Sequence, residues 1–184
     1  MIVLGIVLVF SLAAVVWTIG IYNDLIRLRE NVKNGWSQID VQLKRRHDLI
    51  PNLVETAKGY MGHEKDTLEK VIKARQQAID ATNIKDRQLA ENLLTGTLRS
   101  LFAVSENYPN LKADVQMRQV HEELVSTENK ITFARQYYND EVNRLNTAVQ
   151  SFPDSIIAGK FKFEKSEFFV IEDNSEKKAP AVKF

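Results

Sequence analysis

The sequence predicts an all-α protein: an N-terminal transmembrane helix continuing into a long antiparallel bundle of about four helices, followed by a short aromatic C-terminal arm. Three observations carry this. Residues 1–22 form an unbroken apolar run, and the first charge is Asp24. From Leu25 to Phe152 apolar residues recur three or four apart, the period of one helix face. After Pro153 that period fades, and phenylalanine alternates with charged residues. The expected organisation is an anchor over 1–23, the bundle over 24–152, a short helix and extended arm over 153–172, and a flexible tail over 173–184.

The 22 residues of the run, rising about 1.5 Å each, span roughly 33 Å and cross a hydrocarbon core of about 30 Å with a modest tilt. A cleavable signal peptide would want a basic n-region, a shorter apolar stretch and a small-x-small site, and the run shows none of these. Trp17 and Tyr22 lie at one end, where amphipathic rings settle among headgroups. No Lys or Arg precedes the run, whereas Arg27, Arg29 and Lys33 follow it, with Asp24 and Glu30 among them keeping the bias small. The expectation is a single-pass cell-membrane protein with its body in the cytoplasm and the lipid bilayer as its first partner.

Along the first helix the apolar positions are Leu25, Leu28, Val32, Trp36, Ile39, Leu43, Ile50, Val54, Ala57 and Met61, with His47 filling the gap after Leu43. Pro51 removes the bond to the carbonyl of His47, so a bend or local break is expected there, and Gly59 and Gly62 punctuate the end. A second helix from about Glu64 to Asn83 carries Leu68, Val71, Ile72, Arg75 and Ile79. A third from about Asp86 carries Leu89, Leu93, Leu94, Leu98, Leu101 and Phe102, and stops before Pro109. The fourth, with Asn110 as its expected cap, has the cleanest seam: Met117, Val120, Leu124, Thr127, Ile131, Ala134, Tyr138, Val142, Leu145, Val149 and Phe152. Such spacing is coiled-coil-like and argues for near-parallel packing on a long neighbour. Beyond it Gly159 breaks the chain, and Phe161, Phe163, Phe168 and Phe169 alternate with charges in an extended arm.

Composition narrows the function. With 25 basic against 24 acidic side chains there is no field to gather a polyanion, so no nucleic-acid partner is expected. The absence of cysteine removes disulfides, thiolate chemistry and Cys-based zinc sites. His63-Glu64 and His121-Glu122-Glu123 lack a second histidine one helical turn on, so no metal or other cofactor is expected. There is no Gly-rich phosphate loop or nucleophile elbow, and no catalytic residue is assigned.

The segment WSQIDVQLKRRHDLIPNLVETAKGYMGHE, from Trp36 to Glu64, resembles the signature region of the bacterial LemA family. YPNLKAD from Tyr108, EELVSTENKITFARQYYNDEVNRLN from Glu122 and FPDSIIAGKFKF from Phe152 are similar to that family's later blocks. The resemblance covers essentially the whole chain. It implies a single-pass bacterial membrane protein whose soluble part is an antiparallel helical bundle, and it brings no enzymatic activity with it.

If the first helix leaves the membrane near Asp24 and the fourth returns with Phe152 near membrane level, His47 and Asn129 lie at one height, roughly 34 Å out. Arg45, Arg46, His47 and Asp48 then face Thr127, Glu128 and Asn129, and an arginine or His47 meets Glu128 in a polar layer. Register control is the first reading of such a layer; a partner-docking site and solvated faces that never meet are the others. For the arm, Phe161, Phe163, Phe168 and Phe169 can serve core or subunit packing, membrane contact, or interaction with a further partner. The function expected is a membrane-anchored, non-enzymatic scaffold or assembly protein forming a homo-oligomer, with Val41, Leu49, Leu53 and Tyr60 off the main stripe as a second interface. The alternatives are a membrane-tethered enzyme or ligand-binding protein with a polar site near His47 inside the bundle, and an adaptor for another membrane protein through Gly5, Ser11, Ala13 and Ala14.

Overall fold

The computed structural model describes residues 2–170, and these form six helices with no strand among them. Helix α1 (Ile2–Lys58) is followed by α2 (Lys65–Asp80), α3 (Ile84–Ser105), the short α4 (Pro109–Ala113), α5 (Val115–Gln150) and the short α6 (Asp154–Lys160). The expected tail over 173–184 and the last two residues of the arm lie outside the described residues.

The chain divides into two compact units. One joins the chain up to Val41 with Ile131–Phe168, and the other is built on Gln42–Lys130 and continues from Phe169. The 24–152 stretch, read in the sequence as one bundle, is thus shared between both, because α1 and α5 each supply segments to two cores.

In the first unit α1 and α5 pack antiparallel: Asn31 meets Glu141 and Gly35 meets Tyr138, so numbers rise on one helix as they fall on the other. A Cβ on Gly35 would lie 3.0 Å from the Tyr138 Cα, so the backbones approach closely here and a larger residue would have to push α5 back by a few tenths of an ångström. Trp36 lies edge-on against the Tyr138 ring at 5.5 Å. Toward the start of α1, Ile21 and Leu25 pack with Ala158 and Phe163, joined by Tyr22, Ala148, Val149 and Ile157. The most apolar stretch of α1 is unburied, and the helix is long and apolar enough there to cross a membrane.

Helix α6 ends in a Schellman motif: the Phe163 amide donates to the Ala158 carbonyl, the Lys162 amide to the Gly159 carbonyl, and Lys162 takes the left-handed conformation at φ 55°. The expected breaker, Gly159, is instead helical. The arm then runs along α5, held by Asn146, whose side chain donates to the Ser166 carbonyl and accepts from the Ser166 amide. Tyr138 adds a hydrogen bond to the Glu167 carbonyl at 2.8 Å, and its burial, followed by the nearby Glu167 charge, raises the phenol's pKa.

The second unit's core joins Ile50, Leu53, Val54, Ala57 and Met61 of α1 and the following turn to Leu68, Val71, Ala74 and Ala78 of α2, Leu94, Leu98 and Leu101 of α3, Leu111, Met117 and Leu124. Several sequence expectations change here. Helix α1 continues through Pro51 without a break, because the carbonyl that proline orphans receives a 2.7 Å hydrogen bond from Arg75 Nε. Asn110 lies inside α4; the cap of α5 is Asp114, whose carboxylate accepts from the Met117 amide at 2.9 Å. Leu89, Leu93, Ile72 and Ile79 are exposed rather than core, as is Phe152 at the end of the seam. Leu53 is buried and Leu49 packs on the core, so neither is left over for a second interface.

Candidate functional site

A polar cluster is embedded in the core of the second unit. Arg46 falls on the buried stripe of α1, with Ile39, Leu43, Ile50 and Leu53 at three- and four-residue spacing. A guanidinium in that phase must find partners within the protein, since a buried unpaired charge is prohibitive. Its Nη1 donates to Glu128 Oε2 of α5 at 2.9 Å and its Nη2 to Thr95 Oγ1 of α3 at 2.6 Å. Glu91 Oε2 lies 3.7 Å from the same Nη1 without a hydrogen bond of its own. The other oxygen of Glu91 sits 2.7 Å from His47 Nε2. The cluster thus ties three helices together in one layer, and Arg75 of α2 reaches the same turn through the His47 carbonyl.

Arg46 and Glu91 are each only 3% exposed, so the heart of the cluster is closed, whereas the Glu128 side chain is partly open. The other residues of the expected layer lie outside it. Arg45 reaches Glu123 at 3.6 Å on the exposed side, and Asp48 and Asn129 are exposed. Glu91 and Thr95 were not foreseen. The signal for them was present: Glu91, Leu94, Leu98 and Leu101 keep core spacing, but Leu89 and Leu93 offered a rival stripe on the same helix.

The chemistry available is ionic and structural. Among the described residues no group of three or more His, Asp or Glu is arranged to hold a metal ion. Glu64 accepts a hydrogen bond from the Tyr108 hydroxyl, whose pKa is raised by burial and then by that carboxylate. The His121 ring lies edge-on to Phe102 at 4.4 Å. A cleft of about 360 Å³ between the end of α1 and α2 is lined by Lys58, Met61, Lys65, Leu68 and Ile72 among others, and no residue of the polar cluster lines it.

Of the membrane-interface pair, Trp17 is exposed and Tyr22 packs on Phe161 and Phe163, with ring centroids 4.8 and 5.8 Å away. Of the aromatic arm, Phe163 and Phe169 are buried while Phe161 and Phe168 remain exposed. Two of its four phenylalanines are therefore core residues of this chain.

Residues 35–184 match the model of the LemA family. The chain belongs to the LemA family. It is similar to Protein LemA of Metamycoplasma hominis, 26% identical over 163 residues that cover 82% of this chain and 73% of that one. It is also similar to the magnetosome protein MamQ of Magnetospirillum gryphiswaldense, 22% identical over 188 residues covering 88% and 69% of the two chains. Neither name denotes an enzyme. In this LemA family member the matched region takes in the whole polar cluster, and the entire apolar run over residues 1–22 precedes it.

Proposed function

We propose that this LemA family protein is a membrane-anchored, non-enzymatic scaffold that self-associates through its helices. The observation that carries the reading is the contrast between a sealed polar centre and apolar side chains left outside. Arg46 is hydrogen-bonded within the layer, Glu91 is ion-paired with it, and both are closed to solvent, which suits register control and offers a substrate no entry. Meanwhile Val41 and Phe133 stand exposed on α1 and α5, on faces turned away from the packed seam. The unburied apolar stretch of α1 supplies the anchor, with the body in the cytoplasm as Arg27, Arg29 and Lys33 favour. Kinship with a magnetosome protein is compatible with a role on a membrane surface.

Native mass spectrometry of the detergent-solubilised full-length chain tests this. A discrete assembly of several copies is the expected result, and a clean single chain would overturn self-association. The ligand-binding alternative near His47 would be recognised by a small molecule retained in the same spectrum; the closed cluster argues against it.

A further inference from the structure

We infer that the turn from α5 into α6 is a second membrane contact, inserted among the lipid headgroups beside the point where α1 leaves the bilayer; this rests on reading α1 as the anchor. The argument begins with level. Helix α5 runs antiparallel to α1, and Ala148 and Val149 pack at the height of Ile21, one residue before the end of the apolar run, and Leu25, three residues beyond it. Helix α5 ends at Gln150, so Phe152 opens the turn at the span-facing end of that helix. Contacts fix the same level independently, because the Phe161 ring packs at a tilt against Tyr22, centroids 4.8 Å apart, and Tyr22 is placed among headgroups by its position at the end of the run.

What the segment shows at that level is apolar. Phe152 is 81% exposed, Ile156 follows at four-residue spacing and is also exposed, and Phe161 is half exposed. Ile157, Ala158 and Phe163 of the same segment pack inward, whereas Phe152 and Ile156 stay on its outer side. Lys160 and Lys162 are exposed alongside, offset by Asp154 and Glu164, so the segment has no net charge bias toward anionic lipid. Lysine stems at such a boundary lie along the acyl region while their ammonium groups stay wet. The occupant that fits is the headgroup and upper acyl layer, with apolar side chains about 5–10 Å deep. A second anchoring point would fix the tilt of the α1/α5 hairpin on the membrane, which a lone helix cannot do.

The chain has no cysteine, so single-cysteine variants can carry an environment-sensitive fluorophore at one position. Phe152→Cys, Ile156→Cys, Val7→Cys and Phe133→Cys would be reconstituted as full-length protein in vesicles of neutral lipid bearing spin labels either near the headgroup or deep in the chain. Phe133 lies 16 residues before Val149 on α5, roughly 24 Å further from the span. The expected result is that shallow labels quench the probes at 152 and 156 to roughly half their intensity, deep labels quench the probe at 7, and neither affects 133. Quenching at 7 without quenching at 152 and 156 would overturn this inference and leave the anchor standing. Loss of quenching at 7 as well would overturn the anchor itself. Probes at 152 and 156 that are shielded from water yet unquenched, and that self-quench between copies, would assign the surface to a second copy of the chain and overturn the membrane contact.

Discussion

Arg46 shows how one residue can be both a cost and a specification. Its position in the α1 seam calls for an apolar side chain, and its two acidic neighbours exist to neutralise it. Removing one partner from a buried ion pair costs about 3–5 kcal/mol, while replacing the pair by apolar groups is often neutral. Arg46→Met should therefore lower the unfolding free energy by about that amount, and adding Glu91→Leu should restore most of it. Urea titrations followed by circular dichroism check both; a single variant costing less than about 1 kcal/mol would mean the charge is solvated rather than buried. That the segment around Arg46 and His47 stands opposite Glu128 was legible because helical rise is fixed and the height of two antiparallel helices can be counted; which of these residues takes Glu128 was not. The Glu91 contact was not, since spacing alone does not choose between two apolar stripes on α3. Asp114 gives a second residue-level test. Its carboxylate is held below the usual 3.8, first by the Met117 amide and further by the Tyr60 hydroxyl, which that bond in turn raises. A depressed folded-state pKa adds stability that is present above the unfolded value and lost as pH falls through the folded one. The thermal midpoint should thus decline below pH 3.8, and Asp114→Asn, which keeps a cap but cannot titrate, should flatten that part of the decline. An unchanged slope would exclude the cap as a contributor.

Between helices, the closest constraint is the crossing at Gly35. Alanine is favoured over glycine in a helix by about 1 kcal/mol, yet at Gly35 the added methyl meets backbone of α5 that cannot swing aside. Gly35→Ala should destabilise by about 1–2 kcal/mol despite its propensity gain, whereas Gly96→Ala, with open space around it on α3, should stabilise by about 0.5–1 kcal/mol. If both variants stabilise, the helices are not held at this approach. The arm makes a parallel case. Asn146 takes the place of a neighbouring strand for Ser166, so Asn146→Ala should raise amide exchange at Ser166 by at least about tenfold, with exchange at the Phe163 amide, which bonds within the α6 motif, unchanged. The helices themselves were legible from period and punctuation, to within a few residues. What was not legible were the repairs: Arg75 covering the carbonyl freed by Pro51, Asp114 displacing Asn110 as the cap, and Lys162 taking the left-handed turn usually given to glycine. Each depends on a partner distant in sequence or on a backbone angle that composition does not reveal.

Across the whole chain, order and class were legible, and the division into two units was not. A seam that never loses its period reads as one bundle, although α1 and α5 are long enough to serve two cores in succession. Within the first unit α1 and α5 keep large apolar side chains exposed on their outer faces, and this bears on the proposed self-association. Val41 lies on the face of α1 opposite Ile39 and Leu43, and Phe133, 70% exposed, lies on the face of α5 away from Ile131 and Tyr138. With a formal net charge of only +1, mutual repulsion between copies is weak and leaves such apolar faces free to carry the proposed self-association. Replacing both, Val41→Asp with Phe133→Asp, should reduce the detergent-solubilised assembly to single chains while moving thermal unfolding of a single chain by no more than about 0.5 kcal/mol equivalent, the scale of a surface change. A loss of mass with unchanged folding places the contacts on these soluble helix faces. Persistence of the full assembly would move them to the apolar span, where Ser11, Ala13 and Ala14 allow close helix approach, and would leave the exposed phenylalanine without a role in assembly.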